Sequence, residues 1–231
     1  MIVSGLQKLT LLDFPGKTAC IIFTRDCNFR CPFCHNADLV IGETAPLDDE
    51  ELFAYLDKRK KLLDGVVITG GEPLLQKDIA DFIRRVRSFG YAVKLDTNGT
   101  YPDRLKALLD EGLIDYVAMD IKNGEEEYLK TAGVSNEALL ARVRESVSLI
   151  MSSGVPYEFR TTVVKGLHTK ETLLSAFAMI KGAERYFLQG FVDSGSVLGQ
   201  NVSAFSPEEM KRFLSVLRQW IPSAALRGQS E

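Results

Sequence analysis

No stretch of this 231-residue chain is apolar for long enough to cross a bilayer. Its longest apolar runs, such as Ala19-Cys20-Ile21-Ile22-Phe23, fall far short of the roughly 20 residues a spanning helix needs. A charge excess is missing as well. Against 28 basic residues stand 31 acidic ones, a formal net charge of -3, so no global field points to nucleic acid or an anionic membrane as a partner. The opening residues Met1–Lys8 lack the apolar core of a secretory signal. These absences lead to the expectation of a cytoplasmic protein. Thiols stay reduced in that compartment, so the four cysteines are not expected to form a disulfide framework. No linker, repeat or low-complexity segment divides the chain. One domain is expected over residues 1–222, followed by a small, polar tail over 223–231 that should fray.

What is present is an alternation of short β-rich runs with helical ones. Hydrophobic residues make up 45% of the chain, enough for a substantial core. Strands are predicted over Thr18–Phe23, Val66–Thr69, Ala92–Asp96, Tyr116–Asp120, Tyr157–Val163 and Arg185–Gly190, each apolar and bounded by turn-forming residues. Between them, apolar residues recur at helical spacing, as in Ile79, Phe82, Ile83 and Val86 or Leu139, Leu140, Val143 and Val147. Asp48 before Glu51, and Ser206 before Pro207 and Glu209, read as helix starts. Such alternation implies an α/β fold with parallel strands and right-handed crossovers. Six strands suit a partial (β/α)6 barrel of TIM type or an open doubly wound sheet. Either way, functional groups belong at the C-terminal strand ends.

Cys27, Cys31 and Cys34 stand in the loop directly after the first of these strands, with the spacing Cys-x-x-x-Cys-x-x-Cys. A short loop of this kind can wrap three thiolates round one face of an iron–sulfur cube. A [4Fe–4S] cluster normally takes four cysteines, so three leave one iron open to a substrate. The amino and carboxylate groups of S-adenosylmethionine suit such an iron. The competing reading is a zinc-stabilised binding module with His35 as fourth ligand. Zinc favours a tetrahedron, often from paired Cys-x-x-Cys units. His35 directly adjoins Cys34, and the sequence has no second cysteine pair. Cys20, within the strand, reads as a small buried hydrophobe.

At these residues the chain resembles the radical S-adenosylmethionine superfamily, whose members carry this spacing after the first strand of a partial barrel. Phe33, the aromatic before the third cysteine, matches too. Within the superfamily the chain is most similar to the activases of glycyl radical enzymes, above all those of anaerobic ribonucleoside-triphosphate reductases. The matching text is Gly5–Lys17, Cys27–Asn36, Gly70-Gly71-Glu72-Pro73, Asp96-Thr97-Asn98-Gly99, Asp120-Ile121-Lys122 and Arg160–Val164. The resemblance implies a [4Fe–4S] cluster on Cys27, Cys31 and Cys34, reductive cleavage of S-adenosylmethionine, and a glycyl radical formed on a partner polypeptide. A flavodoxin or ferredoxin-like donor would supply the electron.

For the cofactor, the resemblance implies that Gly70, Gly71 and Glu72 receive the methionyl ammonium and that Phe33 contacts the cofactor. Asp96, Asp120 and Lys122, on successive strand ends, would hold its methionyl part and a monovalent cation. Arg160 lies in an otherwise apolar strand, where a charge must be paired or face a cavity. The cofactor carboxylate or ribose is one partner for it, and a structural ion pair is the other. His168 reads as a loop histidine. Related activases place a cofactor-contacting histidine near the end of the sixth strand, where this chain has Gln189 and Phe191. The run Lys58-Arg59-Lys60-Lys61 reads as a solvated helix face, with docking of an acidic electron donor as a second reading. A small-molecule substrate, as for 7-carboxy-7-deazaguanine synthases, and a pyruvate formate-lyase-type partner remain rival outcomes. The absence of further cysteines for auxiliary clusters, and of a lid segment, favours a polypeptide substrate.

Overall fold

The computed structural model describes residues 1–41, 44–193, 195, 197–200 and 202–228. Its single sheet has eight strands in chain order: β1 (Val3–Thr10), β2 (Ala19–Thr24), β3 (Gly65–Gly70), β4 (Ala92–Thr97), β5 (Tyr116–Asp120), β6 (Tyr157–Val163), β7 (Tyr186–Gly190) and β8 (Ala225–Arg227). All neighbours pair in parallel except β1 with β2, and β1 and β8 stand at opposite edges, so the sheet stays open. The helices are α1 (Ala37–Ile41), α2 (Asp49–Arg59), α3 (Ile79–Ser88), α4 (Pro102–Asp110), α5 (Glu125–Ala132), α6 (Ala138–Ser152), α7 (Lys170–Met179) and α8 (Pro207–Leu217). The expected helix starts hold: Asp48 caps α2 by accepting from the Glu51 N–H, and Ser206 and Glu209 form a reciprocal capping box on α8.

Which barrel this is follows from the two faces of the strands. Successive side chains alternate across a sheet. One set, with Cys20, Ile22, Val66, Ile68, Leu95, Val117 and Phe159, joins the apolar faces of the helices in one large core. The other set carries no helix. At its N-terminal end it is apolar: Ile21, Val67 and Tyr116 pack round Phe14 from the β1–β2 loop. Towards the C-terminal end it becomes charged, through Lys94, Glu158, Asp96, Asp120 and Arg160. Helices on one face only, and a polar inner face on the other, make this a partial barrel rather than a doubly wound sheet.

Two strands were not expected. β1 is a half-exposed edge strand of mixed polarity, which gives no clean period-two signal. β8 corrects the expectation that the tail frays from residue 223. Ala225–Arg227 pairs with Phe187–Gln189, and the reason is electrostatic. Arg227 reaches the buried Glu158 with two hydrogen bonds of 2.5 and 2.8 Å, while the Tyr116 hydroxyl donates to the same carboxylate at 3.0 Å. Burial pushes the Glu158 carboxyl up, but Arg227 more than offsets this and holds it below its ordinary value. Arg227→Ala should therefore lower stability by about 2 kcal/mol. Stripping one partner from a buried pair costs roughly 3–5 kcal/mol, discounted because the Arg227 side chain is 31% exposed. Denaturant titration checks this, and an unchanged midpoint would mean that β8 does not anchor the inner face.

Candidate active site

The cysteine loop leaves the sheet at Thr24. Asp26 then takes the left-handed φ of 70°, which few residues other than glycine adopt. It is held there from both sides: its N–H donates to the Leu39 carbonyl at 2.9 Å, and its carbonyl accepts from the Glu72 N–H at 2.8 Å. The next strand end makes room for this turn. A Cβ on Gly71 would lie 1.9 Å from the Asp26 carbonyl oxygen, and one on Gly70, whose φ is 116°, would lie 2.4 Å from the Thr24 backbone. The two glycines thus admit the cysteine loop's own backbone. The Gly71 N–H donates to Thr24, and the Gly70 carbonyl accepts from the Asn36 side chain.

Cys27, Cys31 and Cys34 line one cavity of about 400 Å³ above the C-terminal strand ends. Phe33, Gly70, Gly71, Asp96, Asp120, Lys122 and Arg160 line it too. The register explains how the charged groups meet, since Asp120 and Arg160 are paired neighbours on β5 and β6. Arg160 Nε donates to Asp120 Oδ1 at 2.9 Å and its NH1 to Asp96 Oδ2 at 3.1 Å. Lys94 Nζ takes Asp96 Oδ1 at 2.5 Å, and Lys122 Nζ takes Asp120 Oδ2 at 2.9 Å. The result is a chain of alternating charge, three cations against two carboxylates. Burial alone would raise the carboxyl of Asp120, but Arg160 and Lys122 hold it well below the usual carboxylate range. Burial would likewise lower Lys122, but Asp120 and Cys31 hold its ammonium firmly charged.

The donor set fits an iron–sulfur cluster. Burial pushes the Cys27 thiol up to about 12 and the Cys31 thiol to about 11, and it raises Cys34 as well. Without a metal these side chains are protonated. A cluster would displace the protons, and the neighbouring Lys122 favours the resulting thiolates. Among the described residues no three His, Cys, Asp or Glu side chains gather closely enough to hold a single metal ion. Thiolates on separate irons of a cube stand further apart than ligands sharing one ion. His35 stacks on Phe191, with ring centroids 5.6 Å apart, instead of closing a tetrahedron with the cysteines. The zinc-module reading finds no site here.

The model of the Radical SAM superfamily matches residues 21–177. The chain belongs to the radical SAM superfamily. Several known proteins are similar to this radical SAM enzyme. A Methanocaldococcus jannaschii protein classed with the glycyl-radical enzyme activating enzymes is 33% identical over 193 residues, 82% of this chain and 80% of its own length. A Thermococcus kodakarensis protein classed as a GTP 3',8-cyclase is 30% identical over 65% of this chain, but this covers only 49% of its own length. The pyruvate formate-lyase-activating enzyme of Listeria monocytogenes is 30% identical over 60% of each chain. A radical SAM methyltransferase from Sphaerobacter thermophilus shares the fold, with a TM-score of 0.72 at 18% identity over 95% of this chain and 68% of its own.

Several radical SAM site expectations need correction. Glu72 does not line the cavity. Its fully buried carboxylate accepts from Leu74 N–H at 3.0 Å, Thr97 Oγ1 at 2.8 Å and Asn98 N–H at 2.7 Å, fastening the Gly-Gly-Glu-Pro turn to the end of β4. At the expected monovalent-cation site, every carboxylate oxygen of Asp96 and Asp120 meets a protein cation. The basic run Lys58–Lys61 spans the C-terminal end of α2 and precedes the N-terminal end of β3, the end of the sheet opposite to the cysteine loop. It is misplaced for an electron donor. Of the two residues expected in place of a cofactor-contacting histidine, Gln189 lines the cavity and Phe191 lies buried beneath His35. His168 lies in the loop between β6 and α7 as expected, yet it is buried there, with Nε2 2.8 Å from the Lys122 carbonyl and Nδ1 accepting from the Val164 N–H at 3.1 Å.

Among the cavity residues without an expected role, one is acidic. Asp13 lines the cavity from the β1–β2 loop, and its carboxylate accepts from the Thr10 hydroxyl. Only its place in the Gly5–Lys17 text pointed to it.

Glu72 also gives a pH dependence. Burial outweighs its three donors and pushes the carboxyl from 4.5 to about 7. The folded state then holds a proton that the unfolded state has released, so stability is full below pH 4.5 and falls as pH rises to about 7. Glu72→Gln should flatten that slope in denaturation of the cluster-free protein. A slope identical to wild type would assign the titration elsewhere.

Proposed function

We propose that this radical SAM enzyme generates a glycyl radical on a partner enzyme, an anaerobic ribonucleoside-triphosphate reductase. The observation that carries the reading is the single cavity in which the three cysteines meet the charge chain ending at Lys122. When bound, a [4Fe–4S] cluster supplies the electron that cleaves S-adenosylmethionine to methionine and a 5′-deoxyadenosyl radical. Cys27, Cys31 and Cys34 hold the cluster. Lys122 spends one of its three donors on Asp120, leaving two for the cofactor carboxylate. Arg160 spends Nε and NH1 on the aspartates and offers NH2 to the cofactor. Asp96 and Asp120 act as anchors that fix these two cations. Phe33 supplies an apolar wall, and Gly70 and Gly71 bring backbone close to the methionyl group. The inner face of the barrel, closed at its base by Phe14, shields the radical from water.

The relative classed as an activating enzyme, similar over four-fifths of both chains, supports an activase role. The cyclase similarity keeps a small-molecule substrate as the second reading. In the first case the electron comes from a flavodoxin or ferredoxin-like protein in a reducing cytoplasm. Among the described residues no helix is long and apolar enough to cross a membrane. The reading extends the catalytic domain beyond residue 222 to take in β8, which completes its inner face. The deciding experiment incubates the reconstituted, reduced enzyme and S-adenosylmethionine with the reductase. A glycyl radical signal by electron paramagnetic resonance is the expected result. Cofactor cleavage without that signal, together with turnover of a small molecule, would favour the second reading.

A further inference from the structure

Asn98 follows β4 in a segment that the sequence marks only as a turn, yet its side chain is buried against the cysteine loop. Its Nδ2 donates to Asn28 Oδ1 at 2.9 Å and lies 3.9 Å from Cys27 Sγ. Its Oδ1 accepts from the Thr100 N–H at 3.0 Å and the Thr100 hydroxyl at 2.7 Å. Asn28 Nδ2 closes the ring by donating to Thr100 Oγ1 at 2.8 Å. The orientation of the amide follows from chemistry. A backbone N–H can only donate, so the Asn98 oxygen must face Thr100 and the NH2 must face Asn28 and Cys27. One amide hydrogen serves Asn28 and the other serves the sulfur. The Glu72 carboxylate fixes the Asn98 backbone at the same time.

Cys27 is thereby set apart from the other two cysteines. The Phe29 N–H also donates to its sulfur, at 3.4 Å. Among the described residues neither Cys31 nor Cys34 has a side-chain amide at its sulfur. Reduction places additional negative charge on a cluster and its sulfur ligands. N–H donors stabilise that electron-rich state more than the oxidised one, which raises the reduction potential. A buried, fully paired ring makes the donor both rigid and strong.

We propose that Asn98 is a positioning residue that raises the reduction potential of the cluster through its amide N–H at Cys27, with Asn28 and Thr100 locking the amide in place. The inference rests on the radical SAM reading of the cysteine loop.

The test is a potentiometric titration of the anaerobically reconstituted full chain, followed by electron paramagnetic resonance. Asn98→Ala should keep its iron and sulfide and show a lower midpoint potential. Asn98→Asp, which replaces a donor by a charge, should show a lower one still. Thr100→Ser should keep the wild-type potential, whereas Thr100→Val, which removes the hydroxyl shared by Asn98 and Asn28 and leaves only the Thr100 N–H on the amide, should lower it. Electron–nuclear double resonance gives a second readout: an exchangeable proton coupled to the reduced wild-type cluster should vanish in Asn98→Ala. Loaded Asn98 variants with the wild-type potential overturn the proposal. If neither Asn98 variant loads, an unchanged potential in Thr100→Val overturns it. A wild-type chain that assembles no cluster would overturn the enzyme reading together with this one.

Discussion

Cys31→Ala is expected to abolish cluster assembly and reductive cleavage of S-adenosylmethionine while leaving the fold intact. Cys31 is 7% exposed and packs with the large core, so the change removes a sulfur's worth of apolar contact and little more. Losses of that size cost about 1 kcal/mol. The backbone of the loop is held independently, by the Arg30 N–H on the Ala132 carbonyl and by Asp26 between Leu39 and Glu72. Two thiolates cannot hold a cube that three hold, because a second iron then loses its protein ligand. Iron and sulfide analysis with circular dichroism separates the two effects. Retained cofactor cleavage in a folded Cys31→Ala protein would refute the assignment of the loop.

Lys122→Ala is expected to keep the cluster and weaken binding of S-adenosylmethionine by roughly 10- to 100-fold. A hydrogen bond to a charged group is worth about 1.5–3 kcal/mol, and each 1.4 kcal/mol is about tenfold in affinity. Asp120 keeps Arg160 as its partner at 2.9 Å, so no carboxylate is stranded. Equilibrium titration of the reconstituted variant measures the effect. Unchanged affinity would place the cofactor carboxylate elsewhere, with the remaining Arg160 donor as the alternative.

Much of this was legible because chemistry and periodicity coincide. The six expected strands, β2 to β7, are short apolar runs with turn residues at both ends, and each forms with ends displaced by at most one residue. The cysteines, Asp96, Asp120, Lys122 and Arg160 were visible as polar groups at strand ends or, for Arg160, as a charge in an apolar run. The structure brings all of them to one cavity. What sequence patterns do not carry is direction. Glu72 looks the same whether it points at a ligand or at the Asn98 amide, and only the fold turns it inward. Asp96 and Asp120 read as ligands in the sequence, and only the fold shows that Lys94 and Arg160 share their oxygens. Lys94 itself is hidden among the apolar residues of β4, although it is 1% exposed and its partner lies two residues further on. β8 was missed because three residues give no period, and its reason for pairing is a glutamate 69 positions earlier.

Glycine and proline mark the turn at Gly70-Gly71-Glu72-Pro73, but their main purpose emerges only in three dimensions. Any side chain at Gly71 would collide with the Asp26 carbonyl, so the turn shapes the cysteine loop as much as it shapes a ligand site. The Asn98 ring is similar. Its parts lie in two segments 70 residues apart, and nothing in either segment alone reveals that an amide faces a sulfur.

The most direct measurement is electron paramagnetic resonance of the anaerobically reconstituted, dithionite-reduced chain with and without S-adenosylmethionine. A three-cysteine scaffold with one open iron should give the signal of a reduced [4Fe–4S] cluster, and the signal should change shape when the cofactor binds. A chain that carries no iron–sulfur cluster, or whose cluster signal ignores the cofactor, would contradict the account at its root.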